Sequence, residues 1–247
     1  EKRDIVVAAL EAVQDLTCKI ITPLDINIEQ IAQYPVTEIP EGDPDQTMFI
    51  IYTSGTTGSP KGVMLSYKNV MFNVNSVSKQ VPIYHEASNV MVLLPLHHSF
   101  PLIGTLIAPM YVGSTVYIAE GLSAESILRT LNEGKISLII GVPRLYDTLA
   151  KGIMTKINAR GITRMLYALA DKLGSEAFSK FIFKSVHQKF GGAIEYLVSG
   201  GAALSLETAR VFKTLGFYVL EGYGMTETAP MISFTRPGRR KIGYAGD

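Results

Sequence analysis

Residues 48–62 read Met48-Phe49-Ile50-Ile51-Tyr52-Thr53-Ser54-Gly55-Thr56-Thr57-Gly58-Ser59-Pro60-Lys61-Gly62, and the rest of the chain is legible as support for them. Met48 to Tyr52 is a short apolar, β-branched and aromatic run of the kind that forms a buried strand. Five Ser/Thr hydroxyls, three glycines and Lys61 come next. Glycine lets a backbone fold back and aim several N–H groups into one concavity, where they bind anions. Hydroxyls add donors and lysine adds a mobile charge suited to phosphate. The stretch reads as a phosphate-gripping loop. It is not a Walker loop: counted from Gly55, Lys61 is in place, but Pro60 stands where that motif has glycine and Gly62 where it has the magnesium-binding Ser/Thr. A P-loop kinase or NTPase is disfavoured.

Two further motifs lie downstream, Leu94-Pro95-Leu96-His97-His98 and Tyr223-Gly224-Met225-Thr226-Glu227. Together with Y-T-S-G-T-T-G-S-P-K-G at 52–62 they resemble, in order and at about the right spacing, the signature motifs of the adenylate-forming superfamily. That superfamily comprises acyl-CoA synthetases, nonribosomal peptide adenylation domains and firefly-type luciferases. The resemblance covers nearly the whole chain and is closest to long-chain fatty acyl-CoA synthetases. It implies an α/β fold of layered, mostly parallel sheets flanked by helices, part of that family's large domain.

Composition bounds the alternatives. The 247 residues are 47% hydrophobic, enough to fill a core, and a net charge of +1 gives no electrostatic case for nucleic acid. The lone Cys18 excludes an intrachain disulfide and reads as a small buried hydrophobe. The chain opens Glu1-Lys2-Arg3-Asp4 without a signal-peptide pattern, so a cytoplasmic protein is expected, with peripheral membrane contact left open. Ala87 to Ala119 carries no formal charge, yet Pro95, Pro101 and Pro109 break it, which rules out a spanning helix. Such a stretch suits the wall of a pocket for an apolar substrate.

In chain order, the spacing predicts a helix over 1–16, a strand at 18–21 and a surface loop over 23–45. After the strand at 47–52 and the phosphate loop, Ser66 caps a helix to about Gln80. Strand, loop and helix in that order place the loop at the carboxyl edge of a parallel sheet. Strands are predicted at 90–94, 115–119, 137–140, 194–198 and 217–220. An apolar helix spans 99–110, helices capped by Ser123 and Ser205 intervene, and Pro143 opens another. Amphipathic helical patterns occupy 160–172 and 176–189. The alternation argues for a parallel sheet covered on both faces, and the chain is expected to be one AMP-binding core.

Joining a carboxylate to the α-phosphate of ATP with loss of pyrophosphate needs two anions brought together, so positioning and charge neutralisation dominate. The resemblance implies that Thr53, Ser54, Gly55, Thr56, Thr57, Gly58 and Lys61 hold the leaving phosphates. It further implies that Thr226 contacts the α-phosphate and that Glu227 holds Mg2+, a role consistent with a hard carboxylate ligand. On spacing alone Glu227 is also readable as a solvated loop acid. Ser199-Gly200-Gly201-Ala202-Ala203 resembles the segment that lies against adenine, although by itself it is also the sequence of a tight turn. Tyr223 would pack on the nucleotide's other side, with Glu221 and Gly222 at its edge. His98, selected over His97 by the Pro-x-x-His spacing, matches the family histidine near the reacting carboxylate.

No acid follows His98 until Glu120, so a substrate ammonium would have no partner and an amino acid is disfavoured. Gly104, Gly200, Gly201 and Gly222 could leave room for an acyl chain, and the helical stretch 152–190 is similar to an insertion of long-chain acyl-CoA synthetases. The resemblance thus implies ATP, a fatty acid and CoA as substrates. An acyl-adenylate ligase serving a carrier protein and a non-catalytic adenylate-binding domain are the alternatives. The family enzyme is about twice as long. Asp247 follows Thr226 too closely to be its ribose-binding aspartate, and the small C-terminal domain with its catalytic lysine is not represented. A nucleotide-binding core with little turnover of its own is the expectation.

Overall fold

The computed structural model describes residues 41–54 and 59–246. The helix expected over 1–16, the strand at 18–21, Cys18, most of the 23–45 loop, the loop residues Gly55 to Gly58 and Asp247 lie outside them. The chain divides after Gly42 into two units, and all the described helices and strands belong to the second.

Strand β1 (Thr47–Thr53) forms over the apolar run but is not the buried strand expected: Ile51 is buried, whereas Ile50 and Tyr52 are exposed. The segment after the phosphate loop departs from expectation: Lys61–Ser66 is a second strand, β2, paired antiparallel with β1 from Thr47↔Ser66 to Thr53↔Lys61. The loop is therefore the tip of a hairpin and does not lead from a parallel strand into a helix. Val63-Met64-Leu65 supplies the alternation, with Leu65 buried and Met64 exposed. Gly62 leaves room for the cross-strand Ile50 side chain, whose Cγ2 would sit 3.0 Å from a Cβ there. Helix α1 (Tyr67–Gln80) then starts at Ser66, whose hydroxyl accepts from the Asn69 N–H while the Asn69 side chain accepts from the Ser66 N–H.

The main sheet holds six strands: β3 (Asn89–Val92), β4 (Thr115–Ile118), β5 (Leu138–Gly141), β6 (Tyr196–Ser199), β7 (Val219–Gly224) and β8 (Met231–Phe234). Their order is β4-β3-β5-β6-β7-β8, parallel except for the antiparallel β7–β8 pair. The order reverses between β3 and β5, and such a switch point opens a crevice at the carboxyl ends of the strands. Between β3 and β4 runs α2 (residues 99–111), whose middle, Leu102–Ile107, is a π-helix. Pro109 explains the widening. It has no N–H to donate and its ring would clash with the carbonyl four residues back. The Ala108 N–H bonds to the Ile103 carbonyl, so the next acceptor in register is Gly104, which Pro109 cannot serve. Tyr84 serves it instead, its hydroxyl donating to the Gly104 carbonyl at 2.9 Å. Burial pushes the Tyr84 phenol up, which keeps it a donor.

Helices α3 (Ala124–Glu133), α4 (Pro143–Asn158), α5 (Gly161–Leu173), α6 (Glu176–Ile182), α7 (Lys184–Lys189) and α8 (Leu206–Thr214) complete the unit. Ser123 and Ser205 cap α3 and α8 as expected, with Glu125 in the first turn of α3. The pattern over 176–189 is two helices, broken where Phe183 leaves helical geometry and is buried. Side-chain alternation feeds a core on each sheet face. Met91, Ile139 and Leu197 meet Ile127, Leu131, Tyr146 and Phe212 on one side. Val90, Leu138, Ile140, Val198 and Leu220 meet α1, Ile103 and the hairpin residues Ile51 and Leu65 on the other.

His187 stacks on Phe217 at 4.1 Å, and its Nε2–H donates to the Leu215 carbonyl at 2.9 Å. Burial holds this imidazole below the usual histidine range, the hydrogen bond opposing only in part. The unfolded chain therefore binds the proton first, and this site's contribution is lost as pH falls from about 6.5 through the lowered folded value. Urea unfolding between pH 7 and pH 5 should show stability falling with acidification. His187→Gln, which retains a donor for Leu215, should flatten that slope. An unchanged slope in the variant would contradict the assignment.

Candidate active site

The connections leaving β3, β5, β6 and β7 converge on one cavity of about 540 Å³. After β3 come Leu94, Pro95 and His98; after β5, Val142; after β6, Gly200 and Gly201; and along the end of β7, Gly222 to Thr226. The floor is apolar: Val77, Ile103, Gly104, Ala108, Ile140 and Val198. Polar groups gather where Asn73, His98, Ser99 and Thr226 line the wall. An apolar cleft with a few convergent polar groups is what a ligand site looks like.

The two motifs separated by well over a hundred residues meet here. His98 stands exposed at the N-terminus of α2, and the buried Ser99 hydroxyl lies 3.4 Å from Thr226 Oγ1. Thr226–Thr228 is a single 3-10 turn, closed by Thr228 N–H to the Met225 carbonyl at 3.0 Å. Ala229, buried, ends the turn at φ 59°, a left-handed conformation that costs a non-glycine residue energy and fixes the turn's exit. Gly224 allows the strand to close on this turn, because a Cβ there would lie 2.0 Å from the Pro230 carbonyl oxygen. Strand β2, which begins with Lys61, packs against the turn. Thr53 pairs with Lys61 at the loop end of the same hairpin.

Ser54 and Lys61 are exposed, as are Ala202, Tyr223 and Glu227. Gly55, Thr56, Thr57 and Gly58 lie outside the described residues. Gly200 is held close to a side chain of the protein itself: a Cβ would sit 2.7 Å from Phe100 Cζ, so the missing side chain admits this ring. Glu221 is not brought together with the others. Its carboxylate accepts from the Gly243 N–H at 3.1 Å and lines a second, more polar cavity of about 760 Å³ with Lys213, Tyr218 and Arg240. The residue that sequence reading missed is Asn73. Buried on α1, it donates from Nδ2 to the Thr228 carbonyl at 3.2 Å and the Met231 carbonyl at 2.9 Å, while its Oδ1 has no partner in the structure. A single asparagine in an amphipathic helix carries no motif, and only the fold reveals what it holds. Among the described residues no cluster of three His, Cys, Asp or Glu side chains could hold a metal by itself. One exposed carboxylate, Glu227, still fits magnesium, which is commonly held by one or two carboxylates plus substrate phosphates.

Comparison with known proteins agrees with this geometry. Residues 3–246 match the AMP-binding enzyme family. The chain belongs to that family. It is 32% identical over 220 residues to long-chain-fatty-acid–CoA ligase 1 of Saccharomyces cerevisiae, a match covering 82% of this chain and 31% of the relative. A peroxisomal long chain acyl-CoA synthetase of Arabidopsis thaliana is 32% identical over 216 residues, 82% of this chain and 30% of its own. The chain thus spans about a third of these curated relatives. Among solved structures, a malonyl-CoA ligase with methylmalonyl-CoA and AMP bound superposes with a TM-score of 0.62 at 28% identity, over 85% of this chain and 40% of that one. A benzoate CoA ligase from Burkholderia xenovorans, at 22% identity, shares the fold with a TM-score of 0.68 over 98% of this chain and 44% of its own. The AMP-binding family fold thus holds from the hairpin to β8.

Replacing Asn73 by alanine strips two half-buried carbonyls of a donor, at a cost of about 1–3 kcal/mol. Calorimetry of Asn73→Ala should show Tm lowered by roughly 2–10 °C. An unchanged Tm would mean that the tie between α1 and the 226–231 turn carries no weight.

Proposed function

We propose that this chain is the AMP-binding core of an ATP-dependent long-chain fatty acyl-CoA ligase, which joins a fatty acid to AMP and then to CoA. The observation that carries the proposal is the meeting of the 94–98 and 223–227 motifs at one apolar cavity, in a chain that matches the AMP-binding family over residues 3–246. The identity of the curated relatives supports the acyl-CoA assignment, and the absence of an acid between His98 and Glu120 supports a plain carboxylic acid as substrate. In this reading a carboxylate oxygen attacks the α-phosphorus of ATP and the bond to pyrophosphate breaks. The hairpin loop, with Thr53, Ser54, Gly55, Thr56, Thr57, Gly58 and Lys61, grips the departing β- and γ-phosphates through N–H groups, hydroxyls and the ammonium. Thr226 donates to the α-phosphate, steadied by Ser99. His98 donates to the substrate carboxylate and orients it for attack. Gly200, Gly201 and Ala202 face the adenine with Tyr223 opposite. Glu227 would hold Mg2+, whose charge offsets that of the phosphates.

The acyl chain occupies the floor between α1, α2 and β5. Gly104 bounds it, with Ile140 Cδ1 3.3 Å from where a Cβ would stand. Pyrophosphate exchange into ATP, measured on the whole protein across short, medium, long and aromatic acids, tests the reading. Exchange should appear with long-chain acids and fall by roughly 10²-fold or more in Lys61→Ala and Glu227→Ala. No exchange with any acid, while ATP still binds, would favour an adenylate-binding domain without catalysis. Gly104→Val should shift the preference towards shorter acids without weakening ATP binding; an unchanged preference would place the acyl chain elsewhere.

A further inference from the structure

Helix α5 is amphipathic in an unusual direction. Its inner face is served by the fully buried Ala170, yet Ile162, Met165, Leu169 and Leu173 are 71, 64, 42 and 56% exposed. Their spacing, three, four and four residues, lines them along one side of the helix. The next helix adds Phe181, 77% exposed. Four large apolar side chains in register on one outward stripe are more than the scattered exposure any surface carries.

The sequence around the stripe is predominantly basic. Residues 151–189 contain eight Lys and Arg against two acids, and all eight cations are exposed, in a chain whose net charge is only +1. Both acids are already engaged: Asp171 pairs with Arg210 and accepts from Thr214 at 2.8 Å, and Glu176 pairs with Lys180 at 2.7 Å. Lys172 follows Leu169 by three residues and Met165 by seven, so a cation flanks the stripe itself.

We propose that α5, with Phe181, is a docking surface for an anionic lipid bilayer. Apolar side chains in line, bordered by lysine and arginine with their acids sequestered, match an interfacial helix that lies in the headgroup region. Each cation near an anionic surface adds attraction that salt screens. The same excess of positive charge opposes pairing with a second copy of this face. The proposal does not depend on the nucleotide site, from which α5 is separate in sequence and which none of its residues lines.

Co-sedimentation with phosphatidylcholine vesicles, with and without phosphatidylglycerol, tests it. The chain should bind the anionic vesicles and not the neutral ones, and binding should weaken as salt is raised. Arg164→Glu with Lys172→Glu should bind roughly tenfold or more weakly. Met165→Ser with Leu169→Ser, which touches no core position, should also release the protein. Absence of binding to anionic vesicles, or equal binding by both double variants and the parent, would overturn the proposal. So would concentration-dependent self-association that the Met165/Leu169 variant alone abolishes, since the stripe would then be a protein interface.

Discussion

The parallel pairing of β3 with β5 is the constraint on which the rest depends. Chain order runs β3, β4, β5, but β4 pairs on the far side of β3, so the connections from β3 and β5 leave in opposite directions. A crevice opens between them without any loop having to be carved out for it. Three groups are delivered to that crevice by the carboxyl ends of the strands: His98 from β3, the Gly200–Gly201 turn from β6 and the Thr226 turn from β7. Period-2 alternation along the same strands fills a core on each face, and that is why the strand ends hold still.

The hairpin is held in place by a different route. It belongs to no strand of the main sheet, and its position rests on Ile51 and Leu65 packing into the core beneath α1. Asn73 binds the same helix to the 226–231 turn, so α1 ties the β1–β2 hairpin to that turn. Left-handed Ala229 and the clash-limited Gly224 then leave the turn a single path. Rigid support of this kind suits a reaction whose barrier is mostly one of bringing anions together.

Much of this was legible in the chain. Serine caps at Ser66, Ser123 and Ser205, Pro143 at a helix start and β-branched runs mark their elements because those signals are local. The motif residues were legible because they come in unbroken groups. Elements whose existence depends on a distant partner were not. Lys61–Ser66 is a strand because β1 is there to pair with it, and Met231–Phe234 because β7 is. The π-helix follows from Pro109 only once Tyr84 is seen to satisfy the Gly104 carbonyl. Glu221 was grouped with Gly222 and Tyr223 on sequence, whereas it bonds Gly243 and lines another cavity.

The central claim is that the three motifs form one site, with the nucleotide and an apolar acid in a single cleft. Hydrogen–deuterium exchange of the protein with and without a non-hydrolysable fatty acyl-adenylate analogue measures this directly. A single shared site predicts simultaneous protection of 53–62, 94–105, 199–203 and 222–231, with little change over 237–242. Protection confined to one of these stretches, or centred on 213–218 and 237–242 around the second cavity, would contradict it.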